Sequence, residues 1–102
     1  MAFRASRLPQ FVEDYERFFG YLKSLSEPTA RRHYARFESA VTDRLLDDPL
    51  RYGYFQEAGA PWRGKLFRVG RKAFWIIFTV EADVVTLCRF WDCAREPGTH
   101  GL

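Results

Sequence analysis

The feature that most constrains the fold is a change in the spacing of apolar residues near the middle of the chain. Before residue 49 they recur every three or four positions, which is typical of helices. After residue 64 they alternate with a period of two, which is typical of strands. Between these parts, prolines and glycines interrupt a stretch that follows neither period. The pattern predicts an α+β fold whose long loop, residues 49–64, covers an edge of the core with aromatic side chains.

The first predicted helix begins after Pro9, which suits a first helical turn. Its apolar stripe consists of Phe11, Val12, Tyr15, Phe18, Phe19 and Leu22. The charged residues Glu13, Asp14, Glu16 and Arg17 are assigned to the opposite, solvent-facing side. Ser6 or a close neighbour is the predicted N-cap, and residues 2–6 are a candidate short strand.

The second predicted helix begins at Ser26, which serves as its N-cap, with Pro28 in the first turn. Its stripe consists of Ala30, Tyr34, Phe37, Val41 and Leu45. The helix is expected to end near Asp48, because Pro49 disfavours helical geometry in the residue before it. A link of about three residues joins the helices, so they are expected to form an antiparallel hairpin.

Three strands are predicted at residues 65–69, 73–80 and 84–91, joined by short turns. Residues 73–80 are apolar on both faces, which indicates a central strand. The resulting order, β-α-α-β-β-β, predicts a helical hairpin packed on one face of a four-stranded, mainly antiparallel, twisted sheet. One domain is expected to span residues 1–102.

Positive charge is concentrated in the second part of the chain. Residues 1–62 carry nine basic and nine acidic side chains, so the whole net charge of +3 arises from residues 63–102. Such an asymmetry favours an anionic partner for the strand-rich part. The alternative is an ordinary solvated surface that is rich in arginine.

Arg89 is the least routine of these charges. Strict alternation along its strand places it on one face with Val85, Leu87 and Trp91. A cation among apolar neighbours is costly unless it is paired or lies at the rim of the sheet. Two interpretations stay open: a functional arginine, or an internal ion pair with Asp83, Asp92 or an acidic helix residue.

Several classes of protein are excluded or disfavoured by what the sequence contains. It has no G-x-S-x-G, no H-E-x-x-H and no glycine-rich phosphate loop. The two cysteines lack zinc-site spacing, and the two histidines are far apart. No metal or cofactor is therefore expected. No apolar run approaches the length of a membrane span, so we expect a cytoplasmic protein with no membrane partner.

Three segments, residues 67–71, 74–80 and 84–97, resemble the C-terminal half of the RelE/ParE toxins. The family pattern is a (Y/F)RVGR strand, an alternating apolar strand, a turn, and an ending to which Arg89, Arg95 and Pro97 correspond. The order and spacing of these motifs agree with the family over nearly the whole chain. The resemblance implies a growth-inhibiting toxin of a type II toxin–antitoxin module, neutralised by a cognate antitoxin.

The family has two mechanisms. RelE-like toxins cut mRNA in the ribosomal A site without a metal, using basic residues with a Tyr or His near the C-terminus. ParE-like toxins inhibit DNA gyrase. Here Asp92 stands where many relatives carry His, and Trp75 where RelE-like nucleases carry Arg, which leaves His100 as the C-terminal candidate. The ParE-like reading is placed first; the alternatives are a RelE-like endonuclease and a non-toxic module that binds RNA or a protein partner.

The resemblance and the charge pattern together name the candidate site residues. The predicted target-binding basic face consists of Lys65, Arg68, Arg71, Lys72, Arg89 and Arg95. In the nuclease alternative the catalytic candidates are Arg68, Arg71, Arg89, Arg95 and His100. Trp75 and Trp91 are expected to face a partner. The antitoxin is expected to lay an amphipathic segment with acidic residues over the helical hairpin or the sheet.

Overall fold

The computed structural model describes residues 2–95, which form four strands and two long helices. In chain order these elements are β1 (Arg4–Arg7), α1 (Pro9–Leu25), α2 (Glu27–Ser39), β2 (Arg63–Val69), β3 (Lys72–Glu81) and β4 (Val84–Asp92). A π-helical segment, Ala40–Leu45, continues α2, and a 3₁₀ turn, Pro49–Arg51, opens the connection to β2.

The strands form one mixed sheet in the order β1-β4-β3-β2. β1 runs parallel to β4, and the other neighbouring pairs are antiparallel. Both helices pack on the same face, which confirms the predicted α+β architecture and places β3 and β4 inside the sheet. The helix-bearing side is called the helix side below, and the opposite side the outer face.

The helical hairpin has the predicted short link and begins at Pro9, but its first helix lacks a serine cap. Ser26 is the N-cap of α2, and its Oγ accepts a hydrogen bond from the Thr29 backbone N–H at 3.4 Å. Ser6, however, lies in β1, and Leu8 occupies the N-cap position of α1 with no side-chain hydrogen bond. Ser6 is therefore not the cap; its close neighbour Leu8 holds the N-cap position without a capping side-chain hydrogen bond.

The helix-side core contains most of the predicted stripes. Its fully buried members include Phe11, Ala30, Phe37, Leu45, Ile76, Phe78, Val85 and Leu87. Two stripe residues, Val12 and Tyr34, are instead exposed. Asp14, assigned to the solvent-facing side of its helix, is buried. The apolar face of α1 is thus rotated toward Asp14 relative to the prediction.

The outer face carries a second, smaller core. Buried Phe55, Ile77 and Trp91 form its centre, and Ala58, Trp62 and Trp75 pack against them. β2 begins at Arg63, two residues earlier than predicted, because Arg63 and Gly64 pair with β3. The loop reaches this strand through an isolated bridge between Tyr54 and Arg63. The prediction that loop aromatics cover a core is confirmed, although Tyr54 itself is exposed.

A β-bulge at Cys88 changes which side chains share a face in β4. Ile77 pairs with Arg89 while the next residue, Phe78, pairs with Leu87, so Cys88 is an extra residue in the strand. Phe90 consequently joins Leu87 in the helix-side core. The predicted grouping of Arg89 with Val85 and Leu87 is wrong, because strict alternation fails at the bulge.

Candidate functional site

Arg89 lies where β4 passes the side of α1, beyond the end of its pairing with β1. Its Nε and Nη2 donate to the two carboxylate oxygens of Asp14 at 2.7 and 2.9 Å. Asp14 Oδ2 also accepts from the Phe90 backbone N–H at 3.1 Å. The hydrogen bond to Asp14 raises the pKa of Arg89. The structure thus contains the internal ion pair with an acidic helix residue that the sequence left as one of two interpretations.

Two arginines flank one tryptophan at the end of β4. The guanidinium carbons of Arg89 and Arg95 lie 5.0 and 4.7 Å from the ring centre of Trp91, within the range of cation–π attraction. Trp91 is buried and is the cross-strand partner of half-buried Trp75, which contacts Phe55 edge-on at 5.5 Å. Guanidinium groups beside indole rings therefore characterise this part of the outer face.

The six predicted basic residues divide between the two sides of the sheet. The cross-strand partners of Lys65 and Lys72 belong to the helix-side core. Lys65 Nζ lies 5.1 Å from the Tyr52 ring centre. Lys72 Nζ lies 3.4 Å from an Asp92 carboxylate oxygen. Arg68 is exposed two positions before Gly70.

Arg71 lies in the turn that joins β2 to β3 and is exposed. Arg89 and Arg95 meet at Trp91 on the outer face. His100 lies outside the described residues. The structure therefore brings Arg89 and Arg95 together at Trp91, and Arg95 and Lys72 also line one pocket beside α1.

A second concentration of cations lies between α2 and the edge strand β2. This groove, of about 310 Å³, is called the cationic groove and is lined by Arg36, Ser39, Ala40, Arg44, Lys65, Leu66, Phe67 and Arg68. Arg36 Nη2 donates to the Arg68 carbonyl at 2.9 Å, which ties the helix to the strand. Sequence reasoning missed Arg36 and Arg44, because neither belongs to the apolar stripe predicted for the second helix. Their spacing of eight residues, which places them on one helix face, was the available signal.

A pocket of about 290 Å³ lies between α1 and the ends of β3 and β4. Phe18, Phe74 and Phe90 form its aromatic floor, with the last two rings stacked at 4.5 Å. Arg17 and Asp92 lie among the charged residues of its rim. The rim carries both signs of charge, in contrast to the cationic groove.

The described residues supply little conventional acid–base or nucleophilic chemistry. Within residues 2–95 no group of His, Cys, Asp and Glu is arranged to hold a metal ion. Burial raises the pKa of the Cys88 thiol, and burial together with Asp92 raises that of Cys93, so both thiols are protonated at neutral pH. Burial and the neighbouring Arg36 lower the pKa of His33. The chemistry that the site offers is recognition of negative charge and of planar groups.

No family model and no curated protein matches this chain. None of the described helices combines the length and the apolarity that a membrane crossing requires.

Proposed function

We propose that the chain is the toxin of a type II toxin–antitoxin module of the RelE/ParE kind, and that it inhibits growth by acting on DNA gyrase. The observation that carries the proposal is the agreement of two features. Residues 67–69, 74–80 and 84–92 of the three motifs lie on β2, β3 and β4 in the family's order. The element order around them is the one that the resemblance implies, with the helical hairpin on one face of the sheet.

Gyrase inhibition is preferred to RNA cleavage because of the chemistry at Trp75 and Trp91. A metal-free nuclease needs a general base as well as cations that stabilise the developing charge. Arg89 and Arg95 are cations, but the carboxylates beside them, Asp14 and Asp92, are held in ion pairs. Trp75 occupies the strand position where the nucleases of the family carry Arg. These features support binding to a protein target more than catalysis.

The helical hairpin supports the expectation of an antitoxin partner. Exposed large apolar side chains are spread over its surface: Leu8, Val12, Tyr21, Leu25 and Tyr34. An amphipathic segment of a partner would cover these side chains and remove their apolar area from water. The acidic residues of such a segment would lie opposite the arginines of the sheet.

The experiment that tests this function is controlled expression of the chain in cells, with and without the product of the neighbouring gene. We expect growth arrest from the chain alone and normal growth when both proteins are present. Purified chain is then expected to block DNA supercoiling by gyrase and to leave mRNA intact on ribosomes. Normal growth with soluble chain accumulating would refute the toxin proposal.

The endonuclease alternative has one observation in its favour, the pair of guanidinium groups at Trp91. It predicts that mRNA is cleaved only when ribosomes are present and that Arg95→Ala reduces this cleavage. Arg31→Ala is the matched control, because Arg31 is an exposed arginine of α2 whose partner is Glu27. Ribosome-dependent cleavage that Arg95→Ala lowers and Arg31→Ala leaves unchanged would replace gyrase with the ribosome as the target.

A further inference from the structure

The cationic groove brings four cations together on one part of the surface. Within residues 2–95, none of Arg36, Arg44, Lys65 and Arg68 forms an ion pair. Of the other twelve Lys and Arg residues within residues 2–95, Arg4, Arg7, Arg31, Lys72 and Arg89 each lie within 4 Å of a carboxylate oxygen, and the remaining seven form no ion pair. One acid near the groove, Asp43, accepts a hydrogen bond from the Ser39 hydroxyl at 2.8 Å. Four cations on one groove without an internal counter-charge favour an external anion.

Two of these cations are held in place before any ligand arrives. The Arg36 guanidinium donates to the Arg68 carbonyl and lies 5.5 Å from the ring centre of Phe67. The Lys65 ammonium lies over the ring of Tyr52. Because the Arg68 carbonyl already accepts a hydrogen bond from Arg36, an additional strand could not pair with β2 at this position. The groove is therefore suited to binding through side-chain charges and not to extension of the sheet.

The residues that line the groove favour a nucleic acid over an acidic protein segment as the anionic partner. The exposed large apolar residues of the described chain, Leu8, Val12, Tyr21, Leu25, Tyr34, Leu50 and Tyr54, all lie outside it. Protein partners usually anchor through apolar and aromatic side chains, whereas interfaces with nucleic acid are polar and positively charged. Phe67 is buried and offers no open ring for base stacking, on which single-strand recognition depends.

Duplex DNA is the polyanion that agrees best with these properties. Arginine and lysine donate to phosphate oxygens in any sequence. Recognition of duplex RNA adds contacts to the 2′-hydroxyl groups, and the groove offers one hydroxyl side chain, Ser39, for them. We propose that the cationic groove binds the sugar–phosphate backbone of duplex DNA, independently of base sequence. This activity goes beyond gyrase inhibition, because it does not require gyrase.

The proposal sets the salt dependence of binding. Neutralising about four phosphates gives a slope of about −3.6 in a plot of log K against log salt concentration. Sequence-independent contacts of this kind give dissociation constants of about 10⁻⁴ to 10⁻⁶ M at physiological salt. The measurement is fluorescence anisotropy of a labelled duplex of about 20 base pairs, long enough to span two helical turns. NaCl is varied from about 50 to 200 mM, the range over which phosphate contacts change affinity strongly.

Arg44→Gln, alone and together with Lys65→Gln, tests the groove, because Arg44 is exposed and neither substitution breaks the contact of Arg36 with Arg68. The double variant is expected to bind at least about tenfold more weakly at 100 mM NaCl and to lose about 1.8 from the slope. Arg17→Gln is the matched control, since it removes one charge from an exposed arginine of α1 outside the groove. It is expected to change affinity less than about twofold, as for a cation that touches no phosphate.

Three results would overturn the proposal. Equal weakening by Arg17→Gln and Arg44→Gln would mean that net charge alone drives binding. Displacement of the duplex by a poly-glutamate peptide at equal charge concentration would make an acidic protein segment the occupant. Tighter binding of single-stranded DNA or duplex RNA than of duplex DNA would contradict the choice of ligand. None of these results depends on growth arrest, so the toxin proposal and this one can fail separately.

Discussion

Asp14 is a single side chain of α1 whose hydrogen bonds to β4 stabilise the contact between the two elements. Its carboxylate binds the Arg89 guanidinium through two hydrogen bonds and also accepts the Phe90 backbone N–H. The Asp14 side chain is only 5% exposed and the Arg89 side chain 15%. If their hydrogen bonds were broken, water could therefore replace few of them. The contact joins α1 to β4 across 75 positions of the sequence, at the point where β1 no longer covers the edge of β4.

Asp14→Ala is expected to lower the free energy of unfolding by about 3–5 kcal/mol, because it removes the largely buried carboxylate that accepts two hydrogen bonds from Arg89 and one from the Phe90 backbone N–H. Urea denaturation followed by far-UV circular dichroism measures the loss. Glu16→Ala, two positions along the same helix at an exposed site, is the control and is expected to stay within about 0.5 kcal/mol of the parent. A loss below about 1 kcal/mol for Asp14→Ala would show that the pair stabilises the fold no more than a surface ion pair does.

The sequence predicted this contact only in outline. An acidic helix residue was among the partners considered for Arg89, because a cation on an internal strand needs an anion. Asp14 was not singled out, because it was grouped with the charged side of its helix. Its position three after Phe11 and four before Phe18 places it on the buried stripe, and that spacing was the signal available.

At the level of elements, both β3 and β4 could be predicted as strands, but the facing of side chains could be predicted for β3 and not for the end of β4. Simple alternation along β3 separates Phe74, Ile76 and Phe78 in the helix-side core from Trp75 and Ile77 in the outer one, because that strand itself contains no extra residue. In β4 the bulge at Cys88 reverses the facing of every later residue. A bulge depends on how two strands pair, and neither strand's sequence contains that information alone.

The turn between these strands contains the one non-glycine residue with positive φ in the described chain, Ala82 at 54°. A β-carbon is disfavoured in this left-handed conformation by about 1 kcal/mol. Ala82→Gly is therefore expected to raise the midpoint of urea denaturation, with a gain of up to about 1 kcal/mol.

The control is Ala5→Gly, at an exposed residue of β1. It measures the loss of stability that the greater backbone flexibility of glycine causes by itself. Ala5→Gly is expected to lower stability by about 0.5–1 kcal/mol. A decrease for Ala82→Gly equal to that of Ala5→Gly would mean that the turn imposes no cost on alanine.

The whole molecule is a sheet with a core on each side, and the two cores share β3 and β4. The helix-side core could be predicted from the apolar stripes of the helices and strands. The outer core depends on the path of the loop, whose apolar residues follow no regular spacing from which a path could be predicted. Gly64 shows how closely the loop approaches: a β-carbon there would lie 3.1 Å from a Trp75 ring atom and 3.2 Å from a Phe55 ring atom.

Phe55→Ala is expected to destabilise the entire fold by about 3–5 kcal/mol, although Phe55 belongs to a loop, because it leaves a cavity against Ile77 and Trp91. The helical signal in circular dichroism should then disappear at a lower urea concentration. Tyr54→Ala removes an exposed aromatic residue next to it and is expected to cost less than about 1 kcal/mol. An unchanged midpoint for Phe55→Ala would show that the outer core opens without affecting the helices.

The outer core also gathers all three tryptophans of the chain, Trp62, Trp75 and Trp91. Intrinsic fluorescence excited near 295 nm therefore reports on the outer face and not on the helix side. A protein that covers Trp75 would shift the emission maximum, whereas a DNA duplex in the cationic groove would leave the spectrum as it is. The unmodified chain thus carries its own label for distinguishing which of its two sides a partner occupies.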